Sequence, residues 1–258
     1  MIFTTKLLSK RFGGVSAVSN VTLSIPEGRI VGLIGPNGAG KTTFFNVISG
    51  VLPATSGDFF FDGIRITGMK PYRISRLGIA RTFQSIRLFS GMTTFENVFV
   101  ARHSRTRAGL FAALFGGKLA DREDRQSLLK INEILSFMGL ADFSDIASDT
   151  LSYGQQRRLE IARALATEPR LLLLDEPSAG MNTTETEQLM DIIGAIRARG
   201  ITVLLIEHDM NLVMGICEKI IVLVHGGKIA EGTPSEIRNN EEVVESYLGR
   251  EQDYEDLG

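Results

Sequence analysis

Residues 35–42, GPNGAGKT, have the spacing of a loop that binds phosphate groups, since they fit the pattern GxxxxGK[ST] between an apolar run and a helical segment. Glycines let backbone N–H groups approach negative charge, and the helix that begins at Lys41 points its positive end toward the same place. We expect Lys41 to reach the β- and γ-phosphates of a nucleotide, and the Thr42 hydroxyl to ligate Mg²⁺. The alternative is a glycine-rich turn that binds nothing.

Two adjacent carboxylates, Asp175 and Glu176, follow the apolar run LLLL at 171–174. Side chains alternate along a strand, so these two point in different directions. Asp175 is suited to the coordination shell of Mg²⁺, and Glu176 to polarising the water that attacks a γ-phosphate. Without the phosphate loop, a strand that runs into solvent would be an equally good interpretation. With the loop, the catalytic interpretation is favoured.

The segment LSYGQQ at 151–156 predicts the start of a helix, since Ser152 and Gln155 have the spacing of a capping box. The free N–H groups and the positive dipole of such a helix end suit an anion. Because one nucleotide needs one phosphate loop, we expect this second anion-binding element to contact a nucleotide held by another chain. ATP would then join two chains. An ordinary helix cap is the alternative.

The elements that position these residues include strands of two kinds. The continuous apolar runs 29–34, 171–174 and 201–206 are typical of strands buried on both faces, and the helical segments before the last two predict a parallel sheet. Residues 17–25 and 58–61 instead predict antiparallel strands, because the first alternates apolar and polar residues and the second enters an Asp-Gly turn. The predicted fold class is α/β, with a mainly parallel core sheet and an N-terminal antiparallel β subdomain.

The middle of the chain has helical spacing and no strand pattern. One helix is predicted to end at Gly139 and to bury a face that carries Leu128, Ile131, Leu135 and Met138. We therefore predict a single domain, 1–258. Residues 1–85 and 149–258 would form its nucleotide-binding core with the antiparallel subdomain, and residues 86–148 an α-helical subdomain.

Composition excludes several classes of protein. With 43% hydrophobic and 22% charged residues over 258 positions, the chain is globular rather than disordered. Its 28 Lys and Arg against 30 Asp and Glu leave a net charge of −2, so no basic field is available for nucleic acid. The single cysteine, Cys217, fits a reducing cytoplasm. No apolar run reaches the ~18 residues that cross a bilayer, and the shorter uncharged stretch 109–117 predicts a surface helix or a partner contact.

The motifs GPNGAGKTT, RTFQ, LSYGQQ, LLLLDEPSAGMN and IEHD, in this order, resemble the ATP-binding subunits of ABC transporters. The resemblance covers nearly the whole chain and implies a P-loop NTPase fold, ATP and Mg²⁺ as ligands, and a dimer. It assigns Gln84 to Mg²⁺ and the attacking water, His208 to the γ-phosphate, and Phe12 to stacking on adenine. It also implies that residues 178–181 meet the partner chain. Tyr153 departs from the pattern, since the commonest signature has glycine there.

The predicted site residues form three groups. Those predicted for catalysis are Lys41, Gln84, Glu176 and His208. Those predicted for nucleotide binding are Phe12, Gly35, Asn37, Gly38, Ala39, Gly40, Lys41, Thr42, Thr43, Ser152, Gly154 and Gln155. Those predicted for Mg²⁺ are Thr42, Gln84 and Asp175.

Within that family, the stretch GIARTFQSIRLFSGMTTFENVFVARH, the helical insertion after it and the ending GKIAEGTPSEIRNNEEVVESYLG most resemble the longer ATP-binding subunit of branched-chain amino acid importers. This implies integral membrane permease subunits as partners, at the cytoplasmic face of the inner membrane, and indirectly an external solute-binding protein. The second ATP-binding subunit would be another copy or, as the resemblance favours, a shorter companion.

Three apolar residues in a predicted loop, Ile86, Leu88 and Phe89, would need a partner to be buried. We expect them to help form a groove for a short permease helix, with an internal mini-core as the alternative. Another solute remains open, whether a different amino acid, urea or a short amide, or lipopolysaccharide for export. A DNA-repair or translation ATPase and a phosphoryl-transfer kinase are disfavoured by the chain length, the charge and the LSYGQQ segment.

Overall fold

The computed structural model describes residues 1–103 and 118–248, and the apolar stretch 109–117 lies outside these ranges. Within them the strands form a four-stranded sheet and a six-stranded sheet. In the same ranges, no helix combines the length and the apolarity that a bilayer crossing requires.

The smaller sheet is antiparallel and has the order β2-β1-β4-β5. Its strands are β1 (Phe3–Phe12), β2 (Val15–Ile25), β4 (Ser56–Phe61) and β5 (Ile64–Arg65). Asp62 and Gly63 join β4 to β5 with φ angles of 49° and 75°, and two positive φ angles in a two-residue turn match the twist of a hairpin. Both antiparallel strands predicted from the sequence are confirmed.

The larger sheet is mainly parallel and has the order β10-β9-β3-β8-β7-β6. Its strands are β3 (Ile30–Ile34), β6 (Ile79–Arg81), β7 (Leu171–Asp175), β8 (Thr202–Ile206), β9 (Lys219–Val224) and β10 (Gly227–Gly232), of which the last pairs antiparallel with β9. Every residue of β3, β7 and β8 is buried, as their continuous apolar sequences predict. The α/β fold class is confirmed.

Helices cover the larger sheet and form a separate group after β6. They are α1 (Lys41–Ile48), α2 (Pro71–Leu77), α3 (Thr94–His103), α4 (Lys118–Phe137), α5 (Tyr153–Ala166), α6 (Thr183–Ala198), α7 (Met210–Ile216), α8 (Pro234–Arg238) and α9 (Glu241–Leu248). The group after β6 is made of α3 and α4, which pack on each other and on α5. One detail of the predicted α4 face is wrong: Leu128 is exposed, and the neighbouring Ser127 is buried instead.

Alternate residues of the central strands supply two different hydrophobic cores. Leu172 and Leu174 of β7 face the core that α5 and α6 cover, whereas Leu171 and Leu173 face the core that the antiparallel sheet and α1 cover. Burying each such leucine stabilises the fold by roughly 1.5–3 kcal/mol. Because β7 is fixed from both sides, the residues that follow it at the carboxyl edge of the sheet have a fixed position.

Candidate nucleotide site

The phosphate loop joins β3 to α1, and its glycines are required by its shape. Gly35, Gly38 and Gly40 have φ angles of 150°, 78° and 95°. A Cβ atom on Gly35 would collide with the carbonyl oxygen of Leu223, and one on Gly40 with that of Ala17. A side chain at either position would therefore disrupt the loop, and positive φ angles are strained for other residues.

The Lys41 side chain lies inside the curve of this loop. Its Nζ donates to the carbonyl oxygens of Gly35 at 2.6 Å and Pro36 at 3.0 Å, and the residue is buried. A cavity of about 300 Å³ opens beside the loop and is lined by Ala17, residues 37–43, Gln84, Glu176 and His208. An anion in this cavity would meet the N-terminus of α1, as the sequence predicts.

Three residues that the sequence places far apart come together in this cavity. Gln84, Glu176 and His208 follow β6, β7 and β8, so neighbouring parallel strands bring them to one edge of the sheet. The Nε2 of Gln84 donates to Glu176 Oε2 at 2.8 Å, and His208 Nε2 shares a hydrogen bond of 2.8 Å with Glu176 Oε1. Each carboxylate oxygen of Glu176 thus has a partner that holds it toward the phosphate loop.

The backbone of Glu176 supports a functional role. Its φ angle is 47°, which is unusual for a residue other than glycine, and its N–H donates to Ile206 O at 2.9 Å. Strained backbone of this kind persists where the surrounding structure imposes it, and it concentrates at active sites. The strain turns the Glu176 side chain away from β7 and into the cavity.

Asp175 is buried and has one oxygen left over. Its Oδ2 accepts from Arg81 Nη2 at 2.9 Å, whereas Oδ1 has no hydrogen-bond partner among residues 1–103 and 118–248. Burial raises the pKa of this carboxyl above its usual range. The Thr42 side chain is exposed at the loop. A buried, unpartnered carboxylate oxygen and a hydroxyl fit Mg²⁺, which takes few protein oxygens and keeps several waters.

The metal would depend on the nucleotide as well as on the protein. Across the described ranges, no three His, Cys, Asp or Glu side chains are grouped so that they could hold a metal ion by themselves. The phosphates of the nucleotide and water would complete the shell.

Arg157 is a site residue that the sequence analysis missed. It is fully buried on α5, where it donates from Nη1 to Phe83 O at 2.7 Å and from Nη2 to Gln84 O at 2.9 Å and Glu176 O at 3.2 Å. Its ion pair with Glu160 measures 2.8 Å. Burial raises the pKa of Glu160. One feature of the sequence could have identified it: Arg157 and Glu160 lie three residues apart on the apolar face of a helix, where charged residues are rare unless they are paired.

The predicted cap of α5 is present. Ser152 Oγ accepts from the Gln155 N–H at 3.3 Å, and Gln155 Oε1 accepts from the Ser152 N–H at 2.9 Å. In the described part of the chain, no residue of this helix end lines the phosphate-loop cavity. Gly154 instead lies beside Glu185, and the half-exposed Tyr153 ring packs against Gly180. The structure therefore leaves Ser152, Gly154 and Gln155 away from the nucleotide residues of their own chain.

Phe12 was also predicted to bind the nucleotide, and it does not line the phosphate-loop cavity in the described part of the chain either. It ends β1 with 48% of its surface exposed, and the Lys10 Nζ lies 4.9 Å from the centre of its ring. A cation thus lies over one face of this ring.

A larger cavity of about 450 Å³ lies between the core and the helices after β6. Its apolar lining includes Ile74, Phe83 and Phe89, and its cations include Arg87 and Arg163. Phe89 is exposed, and the Arg163 guanidinium lies 4.6 Å from its ring centre. Of the predicted groove residues, Phe89 lines this cavity. Leu88 packs against the hydrophobic core instead, in line with the alternative.

Family models match most of the chain. The model described as "ABC transporter" matches residues 18–179, and the model described as "Branched-chain amino acid ATP-binding cassette transporter" matches residues 228–253. The first match contains the phosphate loop, the LSYGQQ segment and the Asp175–Glu176 pair.

Curated relatives match over nearly their whole length. The high-affinity branched-chain amino acid transport ATP-binding protein BraF of Pseudomonas aeruginosa is 46% identical, over 94% of this chain and 95% of its own. LivG of Escherichia coli, which has the same description, is 45% identical over 94% and 95%. The lipopolysaccharide export system ATP-binding protein LptB of Escherichia coli is 34% identical over 96% and 97%.

Solved structures agree with these relatives. The ADP conformation of MJ1267, an ATP-binding cassette of an ABC transporter, has a TM-score of 0.84 and 32% identity, covering 96% of this chain and 98% of that chain. The dimeric structure of MJ0796, a bacterial ABC transporter cassette, has a TM-score of 0.76 and 28% identity, covering 90% and 98%. Fold, motifs and relatives lead to one conclusion: the chain belongs to the ABC transporter family, as one of its ATP-hydrolysing, ATP-binding cassettes.

Proposed function

We propose that this chain is the ATP-binding and ATP-hydrolysing subunit of an importer for branched-chain amino acids. The observation that carries the ATPase part is the Glu176 carboxylate, which Gln84 and His208 hold at the mouth of the phosphate-loop cavity. The solute class is inferred from relatives. BraF and LivG, described as branched-chain amino acid transport proteins, are 46% and 45% identical to this chain, whereas the lipopolysaccharide export protein LptB is 34% identical.

In the proposed reaction, Glu176 accepts a proton from the water that attacks the γ-phosphorus. The new P–O bond forms to that water, the bond to the β-phosphate oxygen breaks, and ADP leaves with the electron pair. Gln84 and His208 position the carboxylate, and Lys41 neutralises charge on the phosphates. Thr42 and Asp175 would hold Mg²⁺, which lowers the cost of the negative charge that develops on the transferred phosphoryl group.

A second cassette would complete the site. Ser152 and Tyr153 at the capped N-terminus of α5 are exposed, Gly154 is buried beside Glu185, and none of the three lines the phosphate-loop cavity of its own chain. We therefore assign this helix end, with its positive dipole, to a nucleotide on another chain. ATP bound between the two chains would close them, and hydrolysis would release them and reset the transporter. The second chain would be another copy or a shorter companion.

The 450 Å³ cavity is the proposed groove for a helix of the permease. Its apolar lining and its exposed Phe89 suit the apolar face of a short helix, and a membrane partner would bring this chain to the cytoplasmic face of the inner membrane. Phe89→Ser should therefore weaken co-purification with the permease and leave ATP binding unchanged. Ile64→Ser, which alters an exposed apolar residue on β5, is the matched control and should change neither. Full permease binding by Phe89→Ser would contradict the groove.

The proposed function is tested by reconstituting the chain with its permease subunits, companion and solute-binding protein in vesicles. We expect ATP-dependent uptake of leucine, isoleucine and valine, and loss of that uptake with Glu176→Gln. Uptake of a different solute with no uptake of these three would contradict the solute class. Uptake that Glu176→Gln leaves unaltered would contradict the ATPase role.

A further inference from the structure

Arg81 connects the phosphate-loop helix to the predicted Mg²⁺ carboxylate. It is the last residue of β6, and 7% of its side chain is exposed. One arm, Nη2, binds Asp175 Oδ2 at 2.9 Å. The other arm, Nη1, donates to Asn46 Oδ1 at 2.8 Å and to Ser49 Oγ at 3.0 Å. Both partners of that second arm lie in the last turn of α1 or at its C-terminal cap, in the helix that begins at the phosphate loop.

Two aromatic rings fix the guanidinium plane. The central carbon of Arg81 lies 5.6 Å from the ring centre of Phe45 on α1 and 5.1 Å from that of Phe83 after β6. A planar guanidinium with both arms bonded and two aromatic rings nearby has little freedom to reorient. Arg81 therefore keeps one orientation relative to α1 and β7.

We propose that Arg81 is a positioning residue that orients the Asp175 carboxylate for Mg²⁺, a role that rests on the proposed nucleotide and Mg²⁺ binding. Since Oδ2 is bound to Arg81, rotation of the carboxylate is restricted and the unpartnered Oδ1 is the oxygen presented as a ligand. The Thr42 hydroxyl comes from the start of α1, the helix whose far end Arg81 binds. Arg81 thus links the helix that carries Thr42 to the carboxylate that would share the metal with it.

Arg81 also offsets the charge of the buried carboxylate before the metal arrives. Asp175 is 1% exposed, and an unpaired carboxylate at that depth is costly. Arg81 Nη2 lies 2.9 Å from Asp175 Oδ2, so each group stabilises the charged form of the other. Partners of metal ligands commonly determine metal affinity in this indirect way.

The experiment measures ATP affinity of the purified subunit across a Mg²⁺ titration and in excess chelator. For Arg81→Met, the Mg²⁺ concentration at half-saturation should rise roughly tenfold or more, which is the usual effect of losing a partner of a metal ligand. Affinity for ATP in chelator should change less than about twofold, because the phosphate loop is intact. Arg81→Lys, which keeps the charge and loses the second arm, should fall between Arg81→Met and the unaltered chain.

The matched control is Arg170→Met. The Arg170 guanidinium also pairs with carboxylates, Glu27 at 2.8 Å and Asp62 at 2.5 Å, but it does not line the phosphate-loop cavity, so its loss should not move the Mg²⁺ titration. If Arg81→Met does not fold, Asn46→Ala removes one partner of the second arm, leaves the ion pair and should shift the Mg²⁺ titration in the same direction.

Three outcomes would overturn the inference: an unchanged Mg²⁺ titration in both Arg81→Lys and Asn46→Ala, tighter Mg²⁺ binding in Arg81→Met, or an equal loss of ATP affinity with and without the metal. The last of these would mean a structural role. Failure of the unaltered chain to bind ATP at all would instead contradict the proposed function, so the two failures are distinguishable.

Discussion

Two places in this molecule are suited to an anion: the phosphate-loop cavity, here called the first end, and the N-terminus of α5, here called the second end. They differ in how complete they are. At the carboxyl edge of the core sheet, Lys41, Glu176 and Asp175 are each held by side chains or carbonyl groups of the same chain. At the N-terminus of α5, Ser152 and Gln155 satisfy each other and contact no residue that lines the described part of the phosphate-loop cavity. The first end is a pocket, and the second is a helix end that we propose meets the pocket of another chain.

This difference indicates which part of the nucleotide site a second chain would supply. At the first end, one chain brings the phosphate loop, Gln84, Glu176 and His208 to the same cavity. The second end has the positive end of a helix dipole, but the cavity beside Gly154 measures about 10 Å³ and is too small to enclose a phosphate. We therefore expect substitutions at the first end to abolish chemistry, and substitutions at the second to act through the dimer.

The largest effect should come from Glu176→Gln. Removing the proton acceptor should lower ATP turnover roughly a thousandfold, within the range of general bases. ATP binding should persist, because the phosphate loop is unchanged, and the variant should accumulate as a closed dimer. Phosphate release and size-exclusion chromatography with ATP measure both effects. Turnover at the normal rate would eliminate Glu176 as the base.

Arg157→Met tests the connection between the two ends. Arg157 lies on the helix of the second end and binds the backbone of Gln84 and Glu176 at the first. Its loss leaves Glu160 buried without its charge partner, which should lower the free energy of unfolding in urea by about 3 kcal/mol. Adding Glu160→Gln should recover part of that loss. A stability change below about 0.5 kcal/mol would show that the buried network is dispensable.

Ser152→Asp should separate capping from phosphate binding. Aspartate is as good a cap as serine, so the thermal midpoint and ATP binding should stay close to those of the unaltered chain. Its charge would oppose the phosphate of the partner, so turnover should fall tenfold or more, given that like charges at an interface cost several kcal/mol. Ser152→Asn, an uncharged cap, is the control and should retain more activity. Equal rates in the two variants would argue that no phosphate approaches Ser152.

The smallest effect should come from Tyr153→Ala. The ring packs on Gly180 of its own chain and is half exposed, so its loss resembles a surface substitution. We expect turnover to change about twofold at most, since such substitutions alter stability by less than about 0.5 kcal/mol. Steady-state ATPase rates at saturating ATP measure this. A tenfold loss would place the ring in contact with the partner's nucleotide.

The sequence predicts the local parts of this structure better than the distant contacts. The phosphate loop, the cap at Ser152 and the buried strands depend on residues within one segment, so their spacing is sufficient evidence. The contacts of Arg81 with Asp175 and of Arg157 with Gln84 join residues 94 and 73 positions apart, and neither pair has a local pattern. Long-range contacts of this kind, whether ion pairs or hydrogen bonds to the backbone, depend on how the strands are ordered.

One wrong detail and one that the sequence leaves open have the same cause. The helical period alone cannot decide between Ser127 and Leu128 at the end of a buried face, because the packing of α4 against α3 and α5 fixes its rotation. Leu88 and Phe89 are both apolar and adjacent, yet the first packs inward and the second lines the groove. Hydrophobicity identifies the loop as one that needs burial and does not identify which neighbour provides it.

The most direct test mixes two impaired variants, Glu176→Gln and Ser152→Asp, at equal amounts and at concentrations where Glu176→Gln dimerises with ATP. In a mixed dimer, the intact phosphate loop of one chain meets the intact α5 end of the other, so ATP turnover should rise well above the sum of the two variants, up to about a quarter of the unaltered rate. Turnover equal to that sum, with mixed dimers present, would contradict the claim that two chains share each site.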